Sequence, residues 1–424
     1  MAKNTPKETK PVSGTPEVPQ KKKAAPEPSS TKKTSYFSDL FVPILVLLLG
    51  GAYFIKTSIL EGPEVTSILP EVITRDRMGV LAVVVVLCLF ALCEFPDTFN
   101  RRPSPIFWRF VLLSGVIYLC GLVFLSFHTV DEARQYMKFF DPKLGVPLPE
   151  RSYASDCRIF TPEDPVSQYR NIRDAVVDEF FLGHAIGWYV KSMLFRDTWL
   201  SFFCSALFET MELSFRHILP NFYECWWDSI ILDLIITNTL GIILGKFTLK
   251  LLGLKEYNWI GYKKGEPWYK WTVFSSPLRF IRFIFLLVMI ETVELCVFTM
   301  KAHLWLPPPH PLVVGRLFIV AFVVAAALRE YHEYVTVKNY NKWGPHSWVC
   351  MGIIFFEVLL SFKWYIGVDL PPFPKPVKYT WIGVGTVLFA FFFMYFPIRS
   401  FCVNSGNEAK EAKEAKKTTK AKKD

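Results

Sequence analysis

Asp228–Leu252 reads DSIILDLIITNTLGIILGKFTLKLL, and it decides the class of fold. The stretch is mostly apolar and exceeds the roughly 20 helical residues needed to cross a bilayer core. It is read as a membrane span. Yet Asp228, Asp233 and Asn238 lie in its first half. A centred Asp costs about 2.5–3.5 kcal/mol on a translocon scale, so acids there call for a functional reason.

Working outward, similar apolar runs recur along the chain. They are Phe41–Leu60, Met78–Phe95, Phe107–Phe127, Glu179–Phe195, Thr198–Phe215, Asp228–Leu252, Leu278–Phe298, Leu312–Leu328, Trp348–Trp364 and Tyr379–Ile398. The expected fold is all-α, a polytopic integral membrane bundle of about ten transmembrane helices. Composition agrees: 51% of the 424 residues are hydrophobic, 16% are aromatic and only 20% are charged. A soluble chain carries about 25% charged residues.

Residues 1–35 are expected to be a disordered basic tail, because Lys, Pro, Ser and Thr cannot bury enough surface to fold. Residues 36–400 form the expected transmembrane catalytic domain, and 401–424 a disordered lysine-rich tail. An even span count puts both tails on one side, and their lysines place that side in the cytosol. The formal charge of +10 reflects those tails in part. Beside membrane spans it favours anionic headgroups over nucleic acid. Lys420 and Lys422, five and three positions from the end, look like a dilysine signal for the endoplasmic reticulum.

The acids continue upstream. Glu209 and Glu212 sit one helical turn apart within an apolar run and share a face. Asn221, Glu224 and Asp228 follow, then Asp233 and Asn238, each five residues after the last acid. So many carboxylates cannot all stay charged without positive compensation. Arg216 and His217 are too few, and a hard divalent cation is the economical compensator. For Asp228, at the start of a span, helix capping is a rival role. His184 lies near the start of the fourth span. The short turn at Arg196–Asp197 makes the fourth and fifth spans antiparallel neighbours, which brings His184 level with Glu209–Glu212. A near-neutral base beside a cation is a proton-transfer pair. A second Glu-Thr-x-Glu-Leu at Glu291–Leu295 echoes Glu209–Leu213. It faces the same cavity or holds helices together. Cys157 and Cys225 fall outside the bilayer on one side and either pair, in an oxidising compartment, or remain free thiols.

Leu-Pro-Asn221-Phe-Tyr-Glu224-Cys-Trp-Trp-Asp228, followed by Asp233 and Asn238, resembles the signature of eukaryotic phosphatidylserine synthases of the base-exchange type. Asp141-Pro-Lys-Leu-Gly-Val-Pro-Leu-Pro-Glu150-Arg, Cys157-Arg, His184-x-x-Gly-Trp and Arg329-Glu-Tyr are similar to family segments in the same order. The resemblance spans roughly Arg75–Phe362 and is nearer to the ethanolamine-exchanging, type 2 and plant-like branch. It implies exchange of a phospholipid headgroup for L-serine, with Ca²⁺ and without a nucleotide. It implies His184 as catalytic base and Glu209, Glu212, Glu224, Asp228 and Asp233 as metal ligands. Asn221 and Asn238 would hold serine or phosphate, and Arg102 and Arg329 a headgroup or regulatory contact. Arg102-Pro-Ser104-Pro departs from the family's Arg-Pro-His-Pro. The implied partners are phosphatidylethanolamine, phosphatidylserine and L-serine, with phosphatidylcholine as a second donor and a further copy of the chain as an oligomeric partner.

Two other classes compete. A CDP-alcohol phosphatidyltransferase would need Asp-Gly-x-x-Ala-Arg continuing to two spaced Asp residues, and that motif is missing. A multi-spanning cation or lipid transporter would also keep acids within its spans.

Overall fold

The computed structural model describes residues 80–420, apart from several positions between 81 and 102 (Arg102 among them) and 149–153, 155, 166, 178 and 337–342. The expected tail 1–35 and span Phe41–Leu60 lie outside the described residues. The chain divides into two compact units, Met1–Val86 and Leu87–Asp424. The helices named below belong to the second.

They are α1 Pro105–Leu125, α2 Val130–Tyr136, α3 Arg170–Val176, α4 Glu179–Phe195 and α5 Thr198–Phe215. A π-helical segment, Asp228–Asn238, then runs directly into α6, Thr239–Leu251. After these come α7 Pro277–His303, α8 Pro311–Thr336, α9 Pro345–Tyr365 and α10 Lys375–Lys420. No strand occurs among the described residues. Six described helices are long and apolar enough to cross a membrane: α1, π–α6, α7, α8, α9 and the first part of α10. The described residues thus show six of the ten expected spans by length and composition. The fourth and fifth expected spans are helices with the expected bounds, but α4 has only 17 residues. At about 1.5 Å per residue it falls short of a core about 30 Å thick. α5 is 18 residues long and carries two glutamates.

α10 continues to Lys420 with Pro397 inside it. Residues expected to form a disordered tail are thus helical, in keeping with the strong helix propensity of Ala, Glu and Lys.

Local chemistry starts and stops these helices. Ser104 caps α1 by accepting from the Phe107 N–H at 3.2 Å, with Pro105 as first helical residue. Thr129 and Glu132 close a capping box on α2. Asp197 caps α5, accepting from the N–H groups of Trp199 and Leu200. Its second oxygen accepts from the Trp259 N–H at 3.0 Å, which ties the loop after α6 to the α4–α5 turn.

Two buried polar knots hold α1, α8 and α9 together. The Glu330 carboxylate, 1% exposed, accepts from the Ser347 N–H at the start of α9 and meets His346 at 3.1 Å. A carboxylate at a helix N-terminus meets unpaired N–H groups and the positive end of the dipole. Deeper in the bundle, Arg316 donates to Glu357 at 2.5 Å, and Tyr118 bonds both.

The contact that positions the site is α4 against α6. A β-carbon on Gly241 would lie 2.4 Å from the Ala185 carbonyl oxygen, and one on Gly245 would lie 2.8 Å from that of Tyr189. Two glycines four apart let the backbones touch, as in membrane helix pairs generally. Ser192 adds a hydrogen bond to the Ile242 carbonyl at 3.2 Å.

Candidate active site

α4 and α5 are antiparallel across Arg196–Asp197, and the start of α4 lies beside the π-helical segment. His184 Nδ1 is 3.3 Å from Asn238 Oδ1 and 3.7 Å from an Asp233 oxygen. Asn238 is fully buried. Its amide nitrogen donates to Glu209 at 2.9 Å and to Ser205 at 3.1 Å. The amide oxygen must then be the atom facing His184. An oxygen accepts, so His184 Nδ1 carries the proton and Nε2 keeps its lone pair.

Ligand atoms of His184, Glu224 and Asp233 all lie within 4.8 Å of one another. Glu209, Glu212 and Asp233 are buried, and each feels the charge of Glu224. Oε2 of Glu209 and Oε2 of Glu212 are buried with no hydrogen-bond partner among the described residues. Asp228 occupies the first turn of the π-helical segment, close enough to Asp233 for their charges to interact. The cap position belongs to Trp227.

The five-residue spacing now has a geometric reason. A regular α-helix would carry Asp228, Asp233 and Asn238 around its circumference. A π-helix bonds i to i+5, so residues five apart stand one above another. Thr239 Oγ shows the same wide turn, donating to the Leu234 carbonyl at 3.3 Å.

Other expectations separate from this group. Asn221 is in the turn Pro220–Phe222, and its side chain makes no hydrogen bond among the described residues. Arg329 lies on α8 near Tyr257 and His332. Tyr257 is bonded to the Arg196 carbonyl, beyond the far end of α4 from His184. Arg102 lies outside the described residues. Arg216 sits over the Tyr223 ring, and His217 against Phe373.

Sequence reasoning overlooked Lys191. Its ammonium pairs with Glu294 at 3.0 Å and lies over the Trp188 and Phe208 rings. It is the cation whose field reaches Glu209, Glu212 and His184. Its position, seven residues after His184, was the available signal. Ser205, four residues before Glu209, carried a similar one. Glu291 and Glu294 answer the echo motif: Glu294 joins α7 to α4, while both Glu291 oxygens are buried without a partner among the described residues.

An apolar cavity of about 490 Å³ flanks the other side of α4, between α7, α8 and α9. Gly183 and Gly187 line it, with Lys191 and Glu294 as its charged groups.

Cys157 and Cys225 form a disulfide, so of the two readings the pairing holds. Asp156 beside it is held at about 2, mainly by hydrogen bonds from the Arg158 side chain and backbone.

Fold and site together define a polytopic helical membrane protein with a histidine set among buried acids. Residues 103–365 match the family model described as phosphatidyl serine synthase. The chain belongs to the phosphatidylserine synthase family, a family of enzymes. It is 38% identical over 368 residues to the protein named CDP-diacylglycerol--serine O-phosphatidyltransferase 1 of Arabidopsis thaliana, covering 82% of this chain and 86% of that one. It is 37% identical over 309 residues to phosphatidylserine synthase 2 of Homo sapiens, covering 68% of this chain and 63% of that one. Against phosphatidylserine synthase of Drosophila melanogaster the identity is 32% over 307 residues, 67% of this chain and 60% of that one.

Proposed function

We propose that this protein makes phosphatidylserine by exchanging the headgroup of phosphatidylethanolamine for L-serine, with phosphatidylcholine as a second donor and Ca²⁺ as cofactor. The observation that carries this reading is His184, its Nδ1 turned to Asn238 and its ring beside Glu224 and Asp233.

Nε2 of His184 accepts the serine hydroxyl proton as the oxygen attacks the lipid phosphorus. The P–O bond to ethanolamine breaks, and the imidazolium returns the proton to the departing alcohol oxygen. One phosphodiester replaces another, so no nucleotide is needed. Asn238 orients the imidazole; being fully buried and saturated with hydrogen bonds, it serves there rather than on the substrate. Asn221, unengaged, is the amide left for serine or phosphate.

The donor set fits a cation. His184, Glu224 and Asp233 alone would suit zinc or manganese as well as calcium. The buried, unpartnered oxygens of Glu209 and Glu212 add hard donors and favour Ca²⁺. Glu224, Asp233, Asp228, Glu212 and Glu209 would hold it. When bound, it neutralises the phosphate and the charge developing on it. The cavity beside α4 suits acyl chains, being almost wholly apolar.

The name of the plant relative states CDP-diacylglycerol as donor, and the names of the animal relatives state none. The missing Asp-Gly-x-x-Ala-Arg motif favours exchange. Purified protein with labelled serine is to be given phosphatidylethanolamine, phosphatidylcholine or CDP-diacylglycerol, each with Ca²⁺ or chelator. Label is expected in phosphatidylserine from phosphatidylethanolamine with Ca²⁺. Strict dependence on CDP-diacylglycerol would overturn exchange, and no incorporation from any donor would overturn the activity.

The disulfide supports an active site facing an oxidising compartment, the lumen of the endoplasmic reticulum, with both termini cytosolic. Replacing Lys420 and Lys422 should then move the protein out of that membrane, as fluorescence microscopy would show.

A further inference from the structure

The segment that delivers Glu224 to the site has no helix to hold it. Tyr223, Glu224 and Cys225 are irregular, between the turn Pro220–Phe222 and the helical backbone that starts at Trp226. Glu224 nevertheless completes the group with His184 and Asp233. A side chain on irregular backbone needs an external support to keep such a register.

That support lies one residue away. Cys225, only 3% exposed, is bonded to Cys157, 68 positions earlier. The Trp227 indole N–H donates to the Cys157 carbonyl at 3.0 Å. Cys225, Trp227 and Leu232 pack with Ile172, Ala175 and Phe181 into a small apolar core of their own. The outer loop before α4 is thereby fastened at the residue adjoining Glu224. Asp156, hydrogen-bonded to Arg158, stiffens the other side of the bridge.

We propose that the Cys157–Cys225 disulfide is a positioning element for the active site, holding Glu224 in register with His184 and Asp233 so that cation affinity depends on the bond. This deepens the reading under Proposed function and rests on it. With the bond open, the segment from Pro220 to Trp226 regains backbone freedom that cation binding must remove again. Groups that hydrogen-bond metal ligands typically change metal affinity by about 10–100-fold, and we expect this backbone tether to act on the same scale.

The test uses the full chain in lipid nanodiscs. Reduction with dithiothreitol transfers two electrons and two protons to the bridge, leaving two cysteine thiols and the cyclic oxidised dithiol. Counting two additional maleimide-reactive thiols confirms it. Binding of radiolabelled Ca²⁺ and the elution profile are measured on oxidised, reduced and re-oxidised protein, and on a C157S/C225S variant.

The expected result is a Kd for Ca²⁺ raised about 10–100-fold in the reduced and variant proteins, with a native elution profile, and recovery on re-oxidation. Equal Ca²⁺ affinity in both redox forms overturns this inference and leaves the proposed function standing. Loss of the native profile in both the reduced and the variant protein makes the bond a staple of the fold, and also overturns it. Absence of both Ca²⁺ binding and serine exchange in the oxidised protein overturns the proposed function itself.

Discussion

The arrangement around His184 is decided by one amide. Asn238 gives both its N–H groups away, to Glu209 and Ser205, and so presents oxygen to the imidazole. If His184 is the base we propose, exchanging it for Ala should lower turnover by about 10²–10⁴-fold. Initial rates of labelled serine incorporation, with an unchanged melting temperature, would check this. Asn238→Ala should act through His184. On the proposed reading, in which the amide aims the base and does not hold the substrate, we expect a lower kcat with the KM for serine nearly constant. A KM that rises with little change in kcat would assign Asn238 to serine instead. His184 and the acids were legible as residues, since ionisable groups in apolar runs stand out. Lys191 was not singled out: one lysine in a short span reads as an edge residue until its partner Glu294 is seen.

At the scale of elements, the site depends on two departures from the ordinary helix pair. One is the π-helical segment, which stacks residues five apart. The other is the glycine contact between α4 and α6. Gly241→Ala would place its β-carbon 2.4 Å from a backbone oxygen, which cannot swing away as a side chain would. Helices forced apart should cost about 1–3 kcal/mol and most of the activity. Gly315→Ala in α8, where the added carbon meets nothing within 4 Å, is the matched control and should be neutral. Thermal denaturation with parallel activity assays would separate the two. The bounds of α4 and α5 were readable from hydropathy and the Arg196–Asp197 turn. The π geometry was not, because the same apolar pattern suits an α-helix, and only its hydrogen bonding shows the wider turn.

The whole molecule joins helices distant in sequence through buried charge. Arg316, Glu357 and Tyr118 come from α8, α9 and α1. Removing one partner leaves the other charge buried alone, so Glu357→Ala should destabilise the fold by about 3–5 kcal/mol. Denaturation of purified protein in detergent would measure it. Replacing the whole triad with apolar residues of similar volume should recover most of that loss.

Sequence alone determined that this chain is helical and polytopic, and it singled out the acids and the histidine to which we assign its chemistry. Hydropathy reports the solvent each segment prefers, and an acid in an apolar run is conspicuous wherever it folds. Tertiary structure decided which of those residues meet. Glu224 reaches His184 from irregular backbone, Asp233 and Asn238 align through a π-turn, and Cys225 finds Cys157 across 68 positions. Those meetings depend on angular register and on contacts between distant segments, which no local pattern encodes. The same cause moved Arg329 to the other end of α4 and turned six expected candidates into one compact group around His184.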